Sequence, residues 1–197
     1  MNKSANDVKS IMIVGVGGQG SLLASKLLGH VLVSQGYDAK VSEVHGMSQR
    51  GGSVVTYVKY GEKVYSPTVE PGEADLIIAF ELLEAARYIT YLKKGGTIIV
   101  SSQHIDPMPV ITGAASYPED IEGKIKALGI RLVEVDALNL ALQAGNAKSV
   151  NVVLMGVLSH HLQFKKEVWA KAIAECVPAK FLELNQRAFD IGVNAAE

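Results

Sequence analysis

The sequence is poor in the residues that hold redox metals and in long apolar segments. Cys176 is the single cysteine among 197 residues. This excludes an intramolecular disulfide, a CxxC redox pair and an iron–sulfur cluster held by thiolates of this chain. No apolar run approaches the ~18–20 residues of a membrane span. If the protein takes part in electron transfer, the metal centres belong to a partner.

The charge balance and the first residues also exclude several classes of protein. A formal net charge of −1 gives no indication of a nucleic-acid partner or of an anionic membrane surface. Residues Met1 to Ser10 are polar and carry no signal-peptide apolar segment, so we expect a cytoplasmic location. Because domains commonly span roughly 100–200 residues, we expect residues 1–197 to form one domain.

The familiar catalytic motifs are missing as well. The sequence has no HExxH, no P-loop lysine and no Ser–His–Asp set that spacing supports. His160 and His161 fall on an expected helix, where adjacent side chains point about 100° apart and cannot chelate one metal together. With no catalytic or metal set of its own, the chain suits a subunit better than a free-standing enzyme.

The first informative stretch is a strand followed by a glycine turn and a helix. Ile11 to Val14 is a continuous apolar run, typical of a strand covered on both faces. It leads into Gly15-Val16-Gly17-Gly18-Gln19-Gly20, and helical spacing of leucines then continues to near Gln35. Glycines allow close backbone approach, and a helix N-terminus directs free N–H groups at a phosphate. The turn predicts a phosphate-bearing ligand; a tight crossover that binds nothing is the alternative.

A dinucleotide is one candidate for that ligand. Glu43 lies ~20 residues beyond the turn at the end of the second expected strand, where a ribose hydroxyl is bound in such enzymes. Against this, Gln19 stands between Gly18 and Gly20, and no separate catalytic segment follows. A free-standing NAD(P)-binding Rossmann oxidoreductase and a nucleotide-binding regulatory module therefore stay open as alternatives.

The second informative stretch fits neither helical nor strand periodicity. Within it, the planar fork of Arg50 suits a carboxylate or phosphate, and Met47 offers an adaptable apolar contact. The alternative interpretation is a charged surface turn. So many residues of special geometry favour an interface or ligand loop, formed by His45, Gly46, Met47, Ser48, Gln49, Arg50, Gly51 and Gly52.

Alternation of strand and helix patterns predicts an α/β fold. We expect a Rossmann-like, doubly wound, mostly parallel sheet with a β-hairpin insertion and a helical C-terminal cap. The expected hairpin pairs Ser53 to Lys59 with a return strand at Val64-Tyr65. A short strand is expected at Val110-Ile111. Further expected strands are Ala39 to Val44, Ala74 to Phe80, Thr97 to Val100 and Ile130 to Val135. Expected helices are Glu81 to Leu92, Asp120 to Leu128, Asp136 to Ala144, Asn151 to His161, Lys165 to Cys176 and Lys180 to Gly192.

Taken together, these motifs resemble one known family. The segments are Ile13 to Gly20, Glu43 to Val54 and Tyr65-Ser66-Pro67, and the second is the most specific. They resemble the gamma domain of the 2-oxoacid:ferredoxin oxidoreductases, also called the pyruvate/ketoisovalerate oxidoreductase gamma-type domain. Within that family the chain looks most like the small (beta) subunits of the indolepyruvate ferredoxin oxidoreductases, from residue 11 to about 190.

The resemblance implies a heteromeric enzyme that oxidatively decarboxylates an aryl pyruvate to an acyl-CoA and passes electrons to ferredoxin. Thiamine diphosphate and the iron–sulfur clusters are then expected in the large (alpha) subunit, and coenzyme A in a shared site. Carried to this chain, the resemblance assigns the coenzyme A diphosphate to Gly15, Gly17, Gly18, Gln19 and Gly20. The loop from His45 to Gly52 would face the large subunit or the substrate.

Overall fold

A six-stranded mixed sheet carries the fold in a computed structural model that describes residues 8–46 and 51–196. Its strands are β1 (Lys9–Val16), β2 (Asp38–His45), β3 (Ser53–Gly61), β4 (Ala74–Ala79), β5 (Leu92–Ser101) and β6 (Arg131–Val135). They lie in the order β2-β3-β1-β4-β5-β6. β1, β4, β5 and β6 pair in parallel, whereas β3 is antiparallel to both of its neighbours. The prediction of a mostly parallel sheet is confirmed.

A hairpin is present, but it pairs β2 with β3, and the predicted hairpin of Ser53 to Lys59 with Val64-Tyr65 does not form. The prediction of a return strand at Val64-Tyr65 is wrong. The Val64 N–H donates to the Asp38 carboxylate at 3.0 Å rather than to a strand partner, and Tyr65 is 89% exposed. β3 pairs with both β1 and β2 in the main sheet. This places the end of the His45–Gly52 loop beside β1.

Helices cover both faces of the sheet. Successive residues of β1 point to opposite faces, and Ile11, Met12, Ile13 and Val14 are all 0% exposed, as expected for a doubly covered strand. One core contains Ile11 and Ile13, the other Met12 and Val14. The helices are α1 (Ser21–Ser34), α2 (Leu82–Arg87), α3 (Met108–Ile111), α4 (Ile121–Ala127), α5 (Ala137–Ala144), α6 (Val150–Leu162), α7 (Lys166–Cys176) and α8 (Leu182–Asn194).

Two predicted elements differ from the structure. The expected helix from Glu81 to Leu92 ends at Arg87, and Leu92 already begins β5. Here Gly95 has φ +81°, and the pairing of β5 with β4 shifts register between Ala74 and Leu76. The strand expected at Val110-Ile111 is instead part of α3, where prolines occupy positions that suit a first helical turn.

The helical C-terminal cap is confirmed as α6, α7 and α8. α6 and α8 touch through their backbones, because a Cβ added at Gly156 or Gly192 would collide with main-chain atoms of the facing helix. Within the described ranges, no helix is long and apolar enough to cross a membrane.

Candidate functional site

The glycine turn lies at the carboxyl end of β1. Gly18 and Gly20 have φ values of +104° and +86°, a region that favours glycine. A Cβ at Gly20 would lie 2.7 Å from Nδ2 of Asn151, the atom that donates a hydrogen bond of 3.2 Å to the Gly20 carbonyl. The last glycine therefore lets the first turn of α6 approach the start of α1.

The side chain of Gln19 is directed into the protein. Its Oε1 accepts a hydrogen bond of 2.7 Å from the Val16 N–H. Its Nε2 donates to the Phe80 carbonyl and to Oε1 of Gln103, both at 3.0 Å. The amide thus connects the turn to the residues that follow β4 and β5. These contacts give Gln19 a positioning role in the turn, while its assignment to a cofactor stays a prediction.

The end of the predicted loop lies against the turn. The Gly17 N–H donates to the Gly52 carbonyl at 2.8 Å, and the Gly51 N–H donates to the Gly17 carbonyl at 3.3 Å. The structure therefore brings two of the sequence-predicted segments together. His45 and Gly46, at the other end of the loop, are exposed. Met47, Ser48, Gln49 and Arg50 lie outside the described residues.

A cavity of about 460 Å³ opens between the turn and the ends of β2 and β3. Glu43 lines it, and its Oε2 is 3.3 Å from the Thr56 hydroxyl that donates to it. The described lining contains no lysine or arginine. The lining consists of Gly17, Gly18, Gly20, Ser21, Leu22, Glu43, His45 and Val54.

Sequence reasoning missed a pair of buried carboxylates on the other side of the turn. Glu81 is only 1% exposed and accepts from the Glu84 N–H at 2.9 Å, which caps α2. It also accepts from the Ile105 N–H at 3.2 Å and from the Tyr117 hydroxyl at 2.5 Å. Burial, followed by this hydrogen bond to Glu81, raises the pKa of the Tyr117 phenol. The sequence signal that could have identified Glu81 is a glutamate directly after a buried strand, in the N-cap position of the next helix.

Glu84 connects α2 to the start of β3. Its Oε2 accepts from the Ser53 hydroxyl at 2.5 Å, and its Oε1 lies 3.1 Å from Nε of Arg87. Burial raises the pKa of the Glu84 carboxyl, although Ser53 and Arg87 act in the opposite direction. Because Ser53 follows Gly52 directly, Glu84 fixes the point where the loop enters β3. A crevice of about 200 Å³ separates these carboxylates from Val16 and Gly51.

In the part of the chain that the structure describes, no group of His, Cys, Asp and Glu side chains could hold a metal ion. The ring of His160 is turned to the Val193 carbonyl at 2.8 Å. The arrangement places the glycine turn and the Glu43 carboxylate around one cavity at the carboxyl edge of the sheet, the usual ligand edge of open α/β sheets.

Comparison with known proteins places these features in context. The family model described as pyruvate ferredoxin/flavodoxin oxidoreductase matches residues 10–195. Indolepyruvate oxidoreductase subunit IorB of Thermococcus kodakarensis is 46% identical over 200 residues, which covers 95% of this chain and 96% of that protein. The protein of the same name from Archaeoglobus fulgidus is 37% identical over 95% of this chain and 94% of its own length.

Solved structures share the fold. The gamma subunit of a keto/oxoacid ferredoxin oxidoreductase from Geobacter sulfurreducens superposes with a TM-score of 0.71 at 24% identity, covering 95% of this chain and 98% of that chain. The 2-oxoglutarate:ferredoxin oxidoreductase from Magnetococcus marinus, solved with 2-oxoglutarate, coenzyme A and succinyl-CoA, gives 0.74 at 18% identity. There the match covers 96% of this chain but 31% of the longer one.

Proposed function

The chain belongs to the pyruvate ferredoxin/flavodoxin oxidoreductase family, and we propose that it is the small subunit of an indolepyruvate or related aryl 2-oxoacid:ferredoxin oxidoreductase. The family match confirms the resemblance that the three sequence segments carry. The relatives that match along nearly their whole length are named as oxidoreductase subunits. The proposal extends their activity to this chain, together with a cytoplasmic location.

The proposed partner is a large (alpha) subunit. Its thiamine diphosphate and iron–sulfur clusters supply the decarboxylation and the transfer of electrons to ferredoxin. The described residues of this chain fit that division, because Cys176 is its one thiol and burial raises the pKa of that thiol. In this proposal the partner carries the metal centres.

The observation that supports a coenzyme A site is the pairing of Gly17 with Gly51 and Gly52, which joins the glycine turn to the signature loop. Backbone N–H groups at the start of α1 can bind a diphosphate, and the neighbouring cavity of about 460 Å³ has room for part of such a ligand. A methyl group at Gly18 would project into open space rather than into protein atoms. These features fit coenzyme A, which would be shared with the large subunit.

The charge of the cavity wall limits how this chain alone could bind a diphosphate. Glu43 is in the cavity wall, and the described lining offers no lysine or arginine to oppose the charge of a diphosphate. We propose that the large subunit supplies cations, and Arg50 stays the sequence-based candidate within this chain. The loop from His45 to Gly52 would then face the large subunit or the substrate side.

Calorimetric titration of the assembled complex tests this proposal. Coenzyme A is expected to bind the complex more tightly than the isolated chain, because the large subunit would add its cations to the site on assembly. No binding of coenzyme A to the complex would overturn the coenzyme A assignment.

The second candidate is an NAD(P)-dependent enzyme, favoured by the position of Glu43 beside the turn. It predicts micromolar NADH binding by the isolated chain with no response to coenzyme A. A nucleotide-binding regulatory module instead predicts ligand binding without any gain in a partner's turnover. The same titrations, followed by an activity assay, separate the three.

A further inference from the structure

The side chain of Ser53 connects the end of the His45–Gly52 loop to α2. Ser53 begins β3 and follows Gly52, whose carbonyl accepts from the Gly17 N–H at 2.8 Å. The Ser53 hydroxyl donates to Oε2 of Glu84 at 2.5 Å. Because a serine hydroxyl has one proton to donate, the 3.2 Å contact between Ser53 and Tyr88 is a bond that the Tyr88 hydroxyl donates. One acceptor and one donor from α2 and its C-cap residue therefore hold Ser53.

Successive residues of β3 connect this contact to the cavity at the glycine turn. The Ser53 side chain faces Glu84, whereas the next residue, Val54, lines the cavity of about 460 Å³. This is the alternation of a strand, in which neighbouring side chains point to opposite faces. Gly17 lines the same cavity and is bonded to Gly52, the residue before Ser53. A shift of Ser53 would therefore move two parts of the cavity wall.

Glu84 is buried although carboxylates are seldom buried in proteins. It is 5% exposed, and burial raises the pKa of its carboxyl. A buried carboxylate destabilises a fold unless its oxygens are bonded, and here Oε2 accepts from Ser53 while Oε1 lies 3.1 Å from Nε of Arg87. α2 does not need this carboxylate as a cap, because the Glu81 side chain already accepts from the Glu84 N–H. The bond to Ser53 is therefore the contact that accounts for a carboxylate at this position.

We propose that Glu84 is a positioning residue for coenzyme A binding. By holding Ser53, it keeps the end of the His45–Gly52 loop against the glycine turn and fixes the shape of the cavity between them. Glu84 itself lies outside the described lining of that cavity. The inference rests on the coenzyme A site proposed above and assigns the preorganisation of that site to a residue behind its wall.

Preorganisation determines which kinetic quantity should change. A cavity wall that is already in place raises affinity, because less of the protein must be ordered when the ligand binds. Loss of the contact between Glu84 and Ser53 should therefore weaken coenzyme A binding more than it slows the saturated complex. A residue that only stabilises the fold would leave both quantities unchanged in the folded protein.

Calorimetric titration of the complex with coenzyme A, together with kcat at saturating coenzyme A, tests the proposal. Glu84→Leu keeps a similar volume but removes both acceptor oxygens, and we expect the Kd for coenzyme A to rise about tenfold, as for loss of one hydrogen bond to a charged group. Ser53→Ala removes the same bond from the other side and should raise the Kd to a similar extent. The double variant should resemble the single variants, because both side chains act through one contact.

A conservative variant and a control distinguish positioning from general stability. The amide oxygen of Glu84→Gln can still accept from Ser53, so its Kd for coenzyme A should stay within about threefold of wild type. Gly192→Ala is the control for lost stability, because the new methyl group would strain the contact between α6 and α8, and Gly192 does not line the cavity. This variant should unfold more readily and bind coenzyme A as wild type does.

Two results would overturn the positioning role of Glu84. One is an unchanged Kd for coenzyme A in Glu84→Leu and Ser53→Ala; the other is an equal loss of affinity in Gly192→Ala. Should Glu84→Leu fail to fold, Ser53→Ala decides, since Ser53 is an exposed residue. Failure of the proposed function gives a different result, because the wild-type complex itself would then bind no coenzyme A.

Discussion

The Gly17 N–H donates a hydrogen bond of 2.8 Å to the Gly52 carbonyl, and through it the glycine turn and the signature loop become one surface. The two residues are far apart in sequence, and the antiparallel pairing of β1 with β3 brings them together. Gln19 holds this surface from one side and Glu84 from the other.

Replacing Gln19 by alanine should destabilise the turn. The substitution leaves the Val16 N–H without its acceptor and the Phe80 carbonyl without its donor. We expect the free energy of unfolding to fall by about 1–3 kcal/mol, the usual effect of unpaired buried polar groups. Urea denaturation measures it, with Gln35→Ala at the exposed end of α1 as control. Equal stability of the two variants would show that the Gln19 amide does not hold the turn.

Two glycine-to-alanine variants distinguish an effect on coenzyme A affinity from an effect of backbone strain on stability. Gly18 and Gly36 have φ values of +104° and +81°, and an added Cβ meets nothing within 4 Å at either position. Each change to alanine should destabilise the chain by about 1–2 kcal/mol, because both force a side chain into the left-handed region. Only Gly18→Ala places a methyl group at the proposed coenzyme A cavity, so it alone should weaken coenzyme A binding to the complex. The same affinity in both variants would remove Gly18 from the site.

The raised pKa of Glu84 predicts a pH-dependent difference between wild type and Glu84→Gln. A carboxyl whose pKa is higher in the folded than in the unfolded chain stabilises the fold when protonated, and this contribution is lost as pH rises through the folded value. Above its ordinary pKa of 4.5, the stability of Glu84→Gln should therefore improve relative to wild type as pH rises.

Urea unfolding at a series of pH values from about 4 upward tests this, because the difference between the two proteins begins at the ordinary carboxyl pKa. Glu62→Gln, at an exposed turn, controls for the introduction of an amide. A relative stability of Glu84→Gln that falls with rising pH would contradict the assigned direction of the shift.

The contact between α6 and α8 makes a stability prediction outside the candidate site. Gly192→Ala should destabilise the protein by about 1–3 kcal/mol, since the methyl group would be forced against the backbone at Val153. Gly29→Ala in α1 is the control, because the new Cβ would lie at an ordinary 3.5 Å from Val41 and alanine favours a helix. Thermal unfolding of both variants measures the difference, and a neutral Gly192→Ala would mean that the helices can separate without loss.

Local patterns predicted those elements whose determinants are local. The unbroken apolar run from Ile11 to Val14 identified the buried strand, and its glycine turn identified the start of α1. The helix predicted from Glu81 to Leu92 is too long, because the lysine–glycine stretch that follows it, Lys93 to Gly96, is typical of a helix C-terminus. In the structure this stretch is an irregular part of β5, and that depends on pairing with β4.

The determinants of the candidate site were mostly long-range, and the sequence could not reveal them. The Gln19 amide bonds to residues 61 and 84 positions away, so nothing near it in the sequence indicates an inward orientation. Glu84 reaches back 31 positions to Ser53. The placement of β3 between β1 and β2 likewise depends on which strands have free edges, and periodicity does not encode this.

Reconstitution tests the central claim most directly. The chain is expressed alone and together with a large subunit of an indolepyruvate oxidoreductase, and reduction of an electron acceptor by indolepyruvate is measured with and without coenzyme A. We predict no activity from the chain alone and turnover dependent on coenzyme A when both subunits are present. Robust turnover by the isolated chain, or failure of the two chains to form an active complex, would contradict the account.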